Sequence, residues 1–158
     1  MKLVEISSSG AAAEAIDRLP AVAADVGAAY VALYKSVGYV SPWLGYFALQ
    51  DSVCVGTCGF KGPPQHNRVE IAYFTFPEYE RRGYATRMAR TLIEMALEVD
   101  ANLVIAAQTL PNESASTAIL RKLGLVLVGS INHPEDGEVW EWQLPSNALH
   151  ATCEDTRA

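Results

Sequence analysis

Arg81, Arg82, Arg87 and Arg90 fall within ten residues of one another and surround Gly83, in a stretch that reads YERRGYATRMARTLIEMA from 79 to 96. Four of the chain's twelve Lys and Arg residues therefore sit in one window of a protein whose formal charge is -6. Helical spacing begins at the same place, because Ala85, Met88, Ala89, Leu92, Ile93 and Ala96 recur at intervals of one helical turn. A helix start leaves its first N–H groups unpaired and carries partial positive charge, so it suits an anion, phosphate above all. Gly83 lets a ligand approach the backbone closely, Thr86 adds a hydroxyl, and the guanidinium groups add forked donors. The competing interpretation is a helix with a solvated basic face. The concentration of Arg against an acidic background favours the anion site, as does the turn that Pro77 imposes ahead of the helix.

The thiols offer less. Cys54 and Cys58 lie in SVCVGTCGF with no His beside them, and Cys153 lies in the polar C-terminal stretch. An odd count without nearby His argues against both a metal site and a disulfide framework. The pair reads as two small apolar side chains on one strand face.

The elements that must position the basic loop follow from pattern. LVEIS (3–7) is a short strand, and the Ala-rich segment from 10 to 39 reads as two helices broken near Pro20, with the Pro in the first turn of the second. WLGYFALQ and SVCVGTCGFKG form a hairpin that turns at Asp51-Ser52, GPPQHN is a loop, and VEIAYFTF (69–76) is a strand that Pro77 ends. NLVIAAQTL is a continuous apolar run, hence a buried strand. Asn112 is placed to cap a helix that runs to Leu123, with Arg121 and Lys122 in its last turn and Gly124 just beyond. LVLVGSI and EVWEWQL are strands joined through NHPEDG, and residues 146–158 form a tail. This order describes an α/β fold with a sheet of mixed direction rather than a regular βαβ repeat.

A chain of 158 residues suits a single domain spanning 1–158, and half of it is hydrophobic, enough for one core. The acidic balance gives no electrostatic case for nucleic acid or a membrane surface as partner. No apolar run reaches the length of a membrane span, and MKLVEISSSG lacks the apolar core of a secretory signal, so a cytoplasmic address is expected.

VEIAYFTFPEYERRGYAT resembles the core of the GNAT N-acetyltransferases, especially the branch containing the ribosomal-protein N-terminal acetyltransferases. That family carries an Arg/Gln-x-x-Gly-x-Gly/Ala loop that holds the pyrophosphate of acetyl-CoA. Gly83 and Ala85 match its small positions, while Glu80 stands where Arg or Gln is usual. TLPNESASTAILRKLGL resembles the family's second stretch, an Asn followed by Ala-Ser-Thr and a helix ending in Leu-Gly-Phe. Ala115, Ser116 and Thr117 align, Ser114 falls at the Asn position, and Asn112 comes two residues early. The similarity covers roughly residues 43 to 144. It implies a mixed, mostly antiparallel central sheet flanked by helices, with the acyl-CoA site at a splayed pair of strands.

The same resemblance implies roles. Tyr73, Phe74 and Thr75 would hold the pantetheine arm, with a backbone N–H near Phe74 polarising the thioester carbonyl. Arg81, Arg82, Gly83, Tyr84, Ala85 and Thr86 would form the phosphate loop, and Asn112 is a helix cap with a secondary chance of touching CoA. Glu70 occupies a strand position where the family often carries a Glu, so it is either the general base that deprotonates the amine or a carboxylate that pairs with an Arg or orients substrate. Arg68 and Glu70 are read as facing opposite sides of the strand and therefore as not pairing. Many members carry a Tyr, four residues before the Leu-Gly, that protonates the leaving thiolate. Here Leu120 lies in that region, which leaves a water, Ser116 or no acid at all. Tyr30, Tyr34, Trp43 and His66 are candidates for acceptor recognition, with plain packing as the competing role for each.

The function so implied is transfer of an acetyl group from acetyl-CoA, as co-substrate and without a metal, directly to a primary amine. The acceptor is a small molecule or a protein N-terminus, and exposed strands near the C-terminus leave a homodimer open. The alternative is a non-catalytic acyl-CoA-binding or regulatory module on the same fold.

Overall fold

Stretches rich in β-branched and aromatic residues become strands, and in the computed structural model, which describes residues 1–145, seven of them form one sheet. β1 (Lys2–Glu5), β2 (Gly45–Gln50), β3 (Val53–Phe60) and β4 (Arg68–Thr75) follow one another as antiparallel neighbours. β5 (Val104–Thr109) lies parallel to β4, and β7 (Gly137–Leu144) then stands between β5 and the edge strand β6 (Val126–His133), antiparallel to both. The helices are α1 (Val22–Val37), α2 (Tyr84–Val99) and α3 (Ala115–Lys122), and a single 3-10 turn, Pro77–Tyr79, leads from β4 towards α2. The tail expected at 146–158, with Cys153, lies outside the described residues.

α2 buries Met88, Ala89, Leu92, Ile93 and Ala96, the stripe read from the sequence, against a cluster that includes Phe60, Val69, Ile71, Leu120 and Trp142. Each of Phe60, Leu92 and Met88, fully removed from water, contributes about 1.5–3 kcal/mol. A smaller cluster joins Val4, Ile6, Ala23, Phe47, Cys54 and Phe76.

Three local expectations are corrected. The Ala-rich segment holds one helix rather than two: residues 10–20 form bends and irregular chain with an isolated bridge from Ala12 to Ile6, and Pro20 precedes α1 instead of sitting in its first turn. Eleven residues are too few to nucleate an isolated helix on propensity alone, and only Ala12 and Ile16 of this piece pack on the core. α3 is capped by Ser114, not by Asn112. The Thr117 N–H donates to Ser114 Oγ at 3.3 Å, and the Ser114 N–H donates to Thr117 Oγ1 at 2.9 Å. Cys54 and Cys58 fall in different clusters, because the register shift beside Ala48/Leu49 adds a residue to β3 and inverts its alternation.

Candidate active site

β4 and β5 pair through Arg68↔Val104, Val69↔Ile105 and Glu70↔Ala106 only. Beyond Glu70, β4 stays with β3 as far as Thr75 while β5 follows β7 to Thr109, and the two strands part. The Lys61 N–H donates to the Glu70 C=O and the Phe76 N–H to the Val55 C=O, so the even-numbered residues of β4 turn their backbone groups towards β3. The Val104 N–H donates to the Asn67 C=O, which turns the odd-numbered residues towards β5. Tyr73 and Thr75 therefore present their peptide groups to the gap. The gap-facing donor expected near Phe74 belongs to its neighbours, because hydrogen-bond direction alternates along a strand and Phe74 is spent on β3.

A cleft of about 640 Å³ opens at this gap, bounded by the end of β4, the start of α2 and the first turn of α3. Tyr73, Phe74, Thr75, Arg81, Gly83, Tyr84, Ala85, Thr86 and Ser116 all line it, as do Tyr79 and Glu80. Gly83 is the N-cap of α2 and adopts φ +80, a left-handed conformation that costs a side-chain-bearing residue about 1 kcal/mol or more. No side chain caps this terminus, and a Cβ built on Gly83 would meet no protein atom within 4 Å. The first N–H groups of α2 thus face open space. Thr75 Oγ1 is buried without a hydrogen-bond partner. Phe74, expected either to hold a ligand or to fill the core, is 45% exposed at the cleft.

The basic cluster divides. Arg81 lines the cleft, whereas Arg82 lies over the Tyr79 ring at 5.7 Å and Arg87 donates to Gln50 Oε1 at 2.9 Å. Asn112 lines neither this cleft nor the next.

A second cleft, of about 620 Å³, lies across the gap on the face that carries α1. Glu70 lines it together with Leu33, Lys61, Gln108, His133 at the end of β6 and the turn residues Glu135 and Asp136. Burial pushes the Glu70 carboxyl up, with Arg68 and Lys61 pulling the other way. Arg68 and Glu70, read as facing opposite sides, are 3.6 Å apart: the strand period is two, so residues two apart share a face. Arg68 also pairs with Glu141, which is 7% exposed. Burial would raise Glu141, yet its bonds from Arg68, Gln143 and Gln108 hold it below the usual carboxylate range.

Residues 10–126 match the description Acetyltransferase (GNAT) domain. The chain belongs to the GNAT acetyltransferase family. YjdG of Bacillus subtilis, an uncharacterised N-acetyltransferase, is 35% identical over 74 residues, which make up 46% of this chain and 44% of that relative. The chain thus matches less than half the length of this curated relative. yncA of Salmonella typhimurium, solved with its cofactor acetyl-CoA, is 18% identical with a TM-score of 0.59 over 78% of this chain and 73% of its own. RimL, a ribosomal L7/L12 α-N-protein acetyltransferase solved with coenzyme A, is 15% identical with a TM-score of 0.61 over 77% and 70%. At these identities the two structures establish a shared GNAT fold.

Within that GNAT frame, the acceptor candidates chosen from sequence do not meet at the second cleft. Tyr34 is buried, donating to the Ile6 C=O at 2.8 Å and accepting from the Gly45 N–H at 2.9 Å. Trp43 packs edge-on against Phe60 in the core. Tyr30 fills the space over Gly45 and Gly59, where a Cβ would come within 2.6 Å of it. His66 is exposed in a loop. The residues that do line the cleft from the β6–β7 turn were missed, since that turn carries only ordinary turn residues. Its signal was the acidic pair Glu135-Asp136 beside a strand that returns to β5. Among the described residues, no group of three or more His, Cys, Asp or Glu side chains is placed to hold a metal, and no helix is long and apolar enough to cross a membrane.

Proposed function

We propose that this protein transfers the acetyl group of acetyl-CoA directly to a primary amine. The observation that carries this reading is the parting of β4 from β5 beside the open N-terminus of α2. The site fits an acyl-CoA. Thr75 Oγ1 has no partner of its own, and Gly83 leaves room for a diphosphate against the helix N–H groups. Tyr73 and Thr75 offer peptide groups to an extended amide arm, Phe74 offers an apolar surface, and Arg81 supplies charge. Glu80, in the same wall, replaces a usual cation or amide and makes Arg81 the principal charged contact.

Glu70 is proposed as the base. It stands where the strands part, its carboxyl is raised by burial, and it faces the cleft from which an acceptor would enter. An amine arrives protonated at neutral pH and must lose that proton before attack. The lining of Glu70, Glu135 and Asp136 against Lys61 favours an acceptor with positive charge, either a small amine or the basic N-terminus of a protein. The buried thiols support direct transfer: burial raises both Cys54 and Cys58, which leaves neither as a ready nucleophile.

An acceptor-amine screen that follows release of free CoA thiol tests this function, alongside calorimetry with CoA. Saturable, amine-dependent release is expected. CoA binding with no acceleration by any amine would favour an acyl-CoA-binding module, and no binding at millimolar CoA would reject both. The Cys54→Ala/Cys58→Ala variant should retain most of the transfer rate. Loss of transfer in a folded, CoA-binding variant would instead demand a cysteine acyl-enzyme.

A further inference from the structure

The two clefts have two lining residues in common, Tyr73 and Ser116. Any group that passes from the helix-terminus cleft to the Glu70 cleft must cross beside them. Tyr73 and Glu70 are three residues apart on β4, so their side chains leave the strand on opposite faces. Glu70 projects with Arg68 on the face that carries α1. Tyr73 projects on the face of α2 and α3, half-buried and packed against the core cluster that contains Met88 and Leu92, with the Ser116 hydroxyl beside its phenol. Its own peptide N–H points between them, into the gap.

That three-way division matches the reaction's demands. A tetrahedral carbon formed from a thioester carries an entering nitrogen, an oxygen and a departing sulfur. Deprotonation is needed where nitrogen enters, a donor where charge builds on oxygen, and a proton where sulfur leaves. Given the acetyl-transfer reading, on which this step rests, the geometry points to Tyr73 as the catalytic acid that donates to the departing sulfur, with Ser116 as the positioning hydroxyl behind it. The C–N bond forms and the C–S bond breaks with its electron pair on sulfur. The amine proton goes to Glu70, the Tyr73 phenol gives its proton to sulfur, and the phenol regains one from solvent through Ser116 Oγ. Burial pushes the Tyr73 phenol up to about 12, so it is protonated throughout the neutral range and available as a donor.

Tyr73→Phe keeps the ring and removes the donor. The decisive readout is the ionisation of the CoA thiol while bound, followed by its thiolate ultraviolet absorbance against pH, with CoA affinity measured by calorimetry. A donor at the sulfur favours the thiolate, so the variant should move the midpoint of the bound thiol's ionisation to higher pH by about one unit, a tenfold fall in the ionisation constant, with Kd for CoA within about twofold of the parent. With an active amine, kcat should fall at least about tenfold while KM for acetyl-CoA changes little. Ser116→Ala should move both readouts in the same direction by less, and the double variant should be no worse than Tyr73→Phe. Should Tyr73→Phe fail to fold, Ser116→Ala carries the same thiol titration. Unchanged thiol ionisation in a variant that binds CoA overturns the assignment whatever happens to kcat. Failure of the parent protein to bind CoA is a different result, and removes the acetyl-transfer reading itself.

Discussion

Arg68 stands between two carboxylates and does not serve them equally. Glu141 takes its close hydrogen bond and is held low, while Glu70, 3.6 Å away, is left with burial as its dominant influence and is raised. Two like groups pushed apart in this way suit different work, one as a fixed anion and the other as the readier proton acceptor. Glu70→Gln should lower kcat about 100-fold or more, abolish the acidic limb of the rate profile and leave CoA affinity nearly unchanged. A variant with the parent's pH profile would reassign Glu70 to orientation. Stability gives an independent check. A raised folded value means that Glu70 binds its proton more tightly in the folded state, so its contribution is full below the ordinary Glu value and is lost as pH rises through the raised one. The Gln variant suffers no such loss, and thermal unfolding in steps across that window should show its stability improving relative to the parent. That Glu70 is a candidate at all came from the resemblance of VEIAY alone, and the structure puts it on β4 at the second cleft. Its pairing was misread although the strand's period of two was enough to place Arg68 and Glu70 together, and Glu141 was out of reach because 73 residues of chain separate it from Arg68.

At the scale of elements, what could be read from sequence was periodicity, and what could not was the register of a start or stop. The stripe of α2 is as the spacing predicts. For α3 the sequence offers two good caps two residues apart, Asn112 and Ser114, and only the reciprocal bonds with Thr117 decide between them. Ser114→Ala should therefore cost about 1 kcal/mol, or about 2–4 °C in Tm for a chain of this size, while Asn112→Ala should stay within about 0.5 kcal/mol of the parent. Equal melting of the two variants would contradict the cap. The start of α2 invites a different experiment. Gly83 has room for a side chain but a backbone that resists one, so Val there is strained whether or not a ligand binds. Gly83→Ala and Gly83→Asn separate the two effects, since Asn tolerates φ near +80 far better. Both should weaken CoA at least about tenfold by calorimetry, because either Cβ intrudes where the helix N–H groups meet the diphosphate. Only Ala should also lower Tm appreciably. If Asn binds CoA as tightly as Gly, close approach at this position is not required.

Across the whole molecule the sheet is two blocks, β1–β4 and β5–β7–β6, joined by three residue pairs at one end. Apart from the extra helix expected ahead of Pro20, the order of elements was legible because each is distinctly patterned. The opening between the blocks came from the family resemblance alone, since by pattern VEIAYFTF and NLVIAAQTL look like strands that could pair along their full length. What holds them apart is each strand's other partner, β3 on one side and β7 on the other. An acyl-CoA lying in the opening would therefore complete a sheet that is otherwise unzipped. Hydrogen exchange can observe this residue by residue. Ala72 and Phe74 spend their N–H groups on β3, whereas those of Tyr73 and Thr75 point into the gap, so in the free protein the second pair should exchange faster than the first. Saturating CoA, at about 100 times its Kd, stabilises the folded protein by about 2.7 kcal/mol and slows every amide that exchanges through global unfolding. A ligand threaded between the blocks should do more at one place. It should slow Tyr73 and Thr75 by a further tenfold or so, the effect of a hydrogen bond worth about 1.4 kcal/mol, and erase their difference from Ala72 and Phe74. If CoA binds and all four amides slow alike, the ligand sits on the helix terminus without entering the gap, and the peptide groups of β4 take no part in holding it.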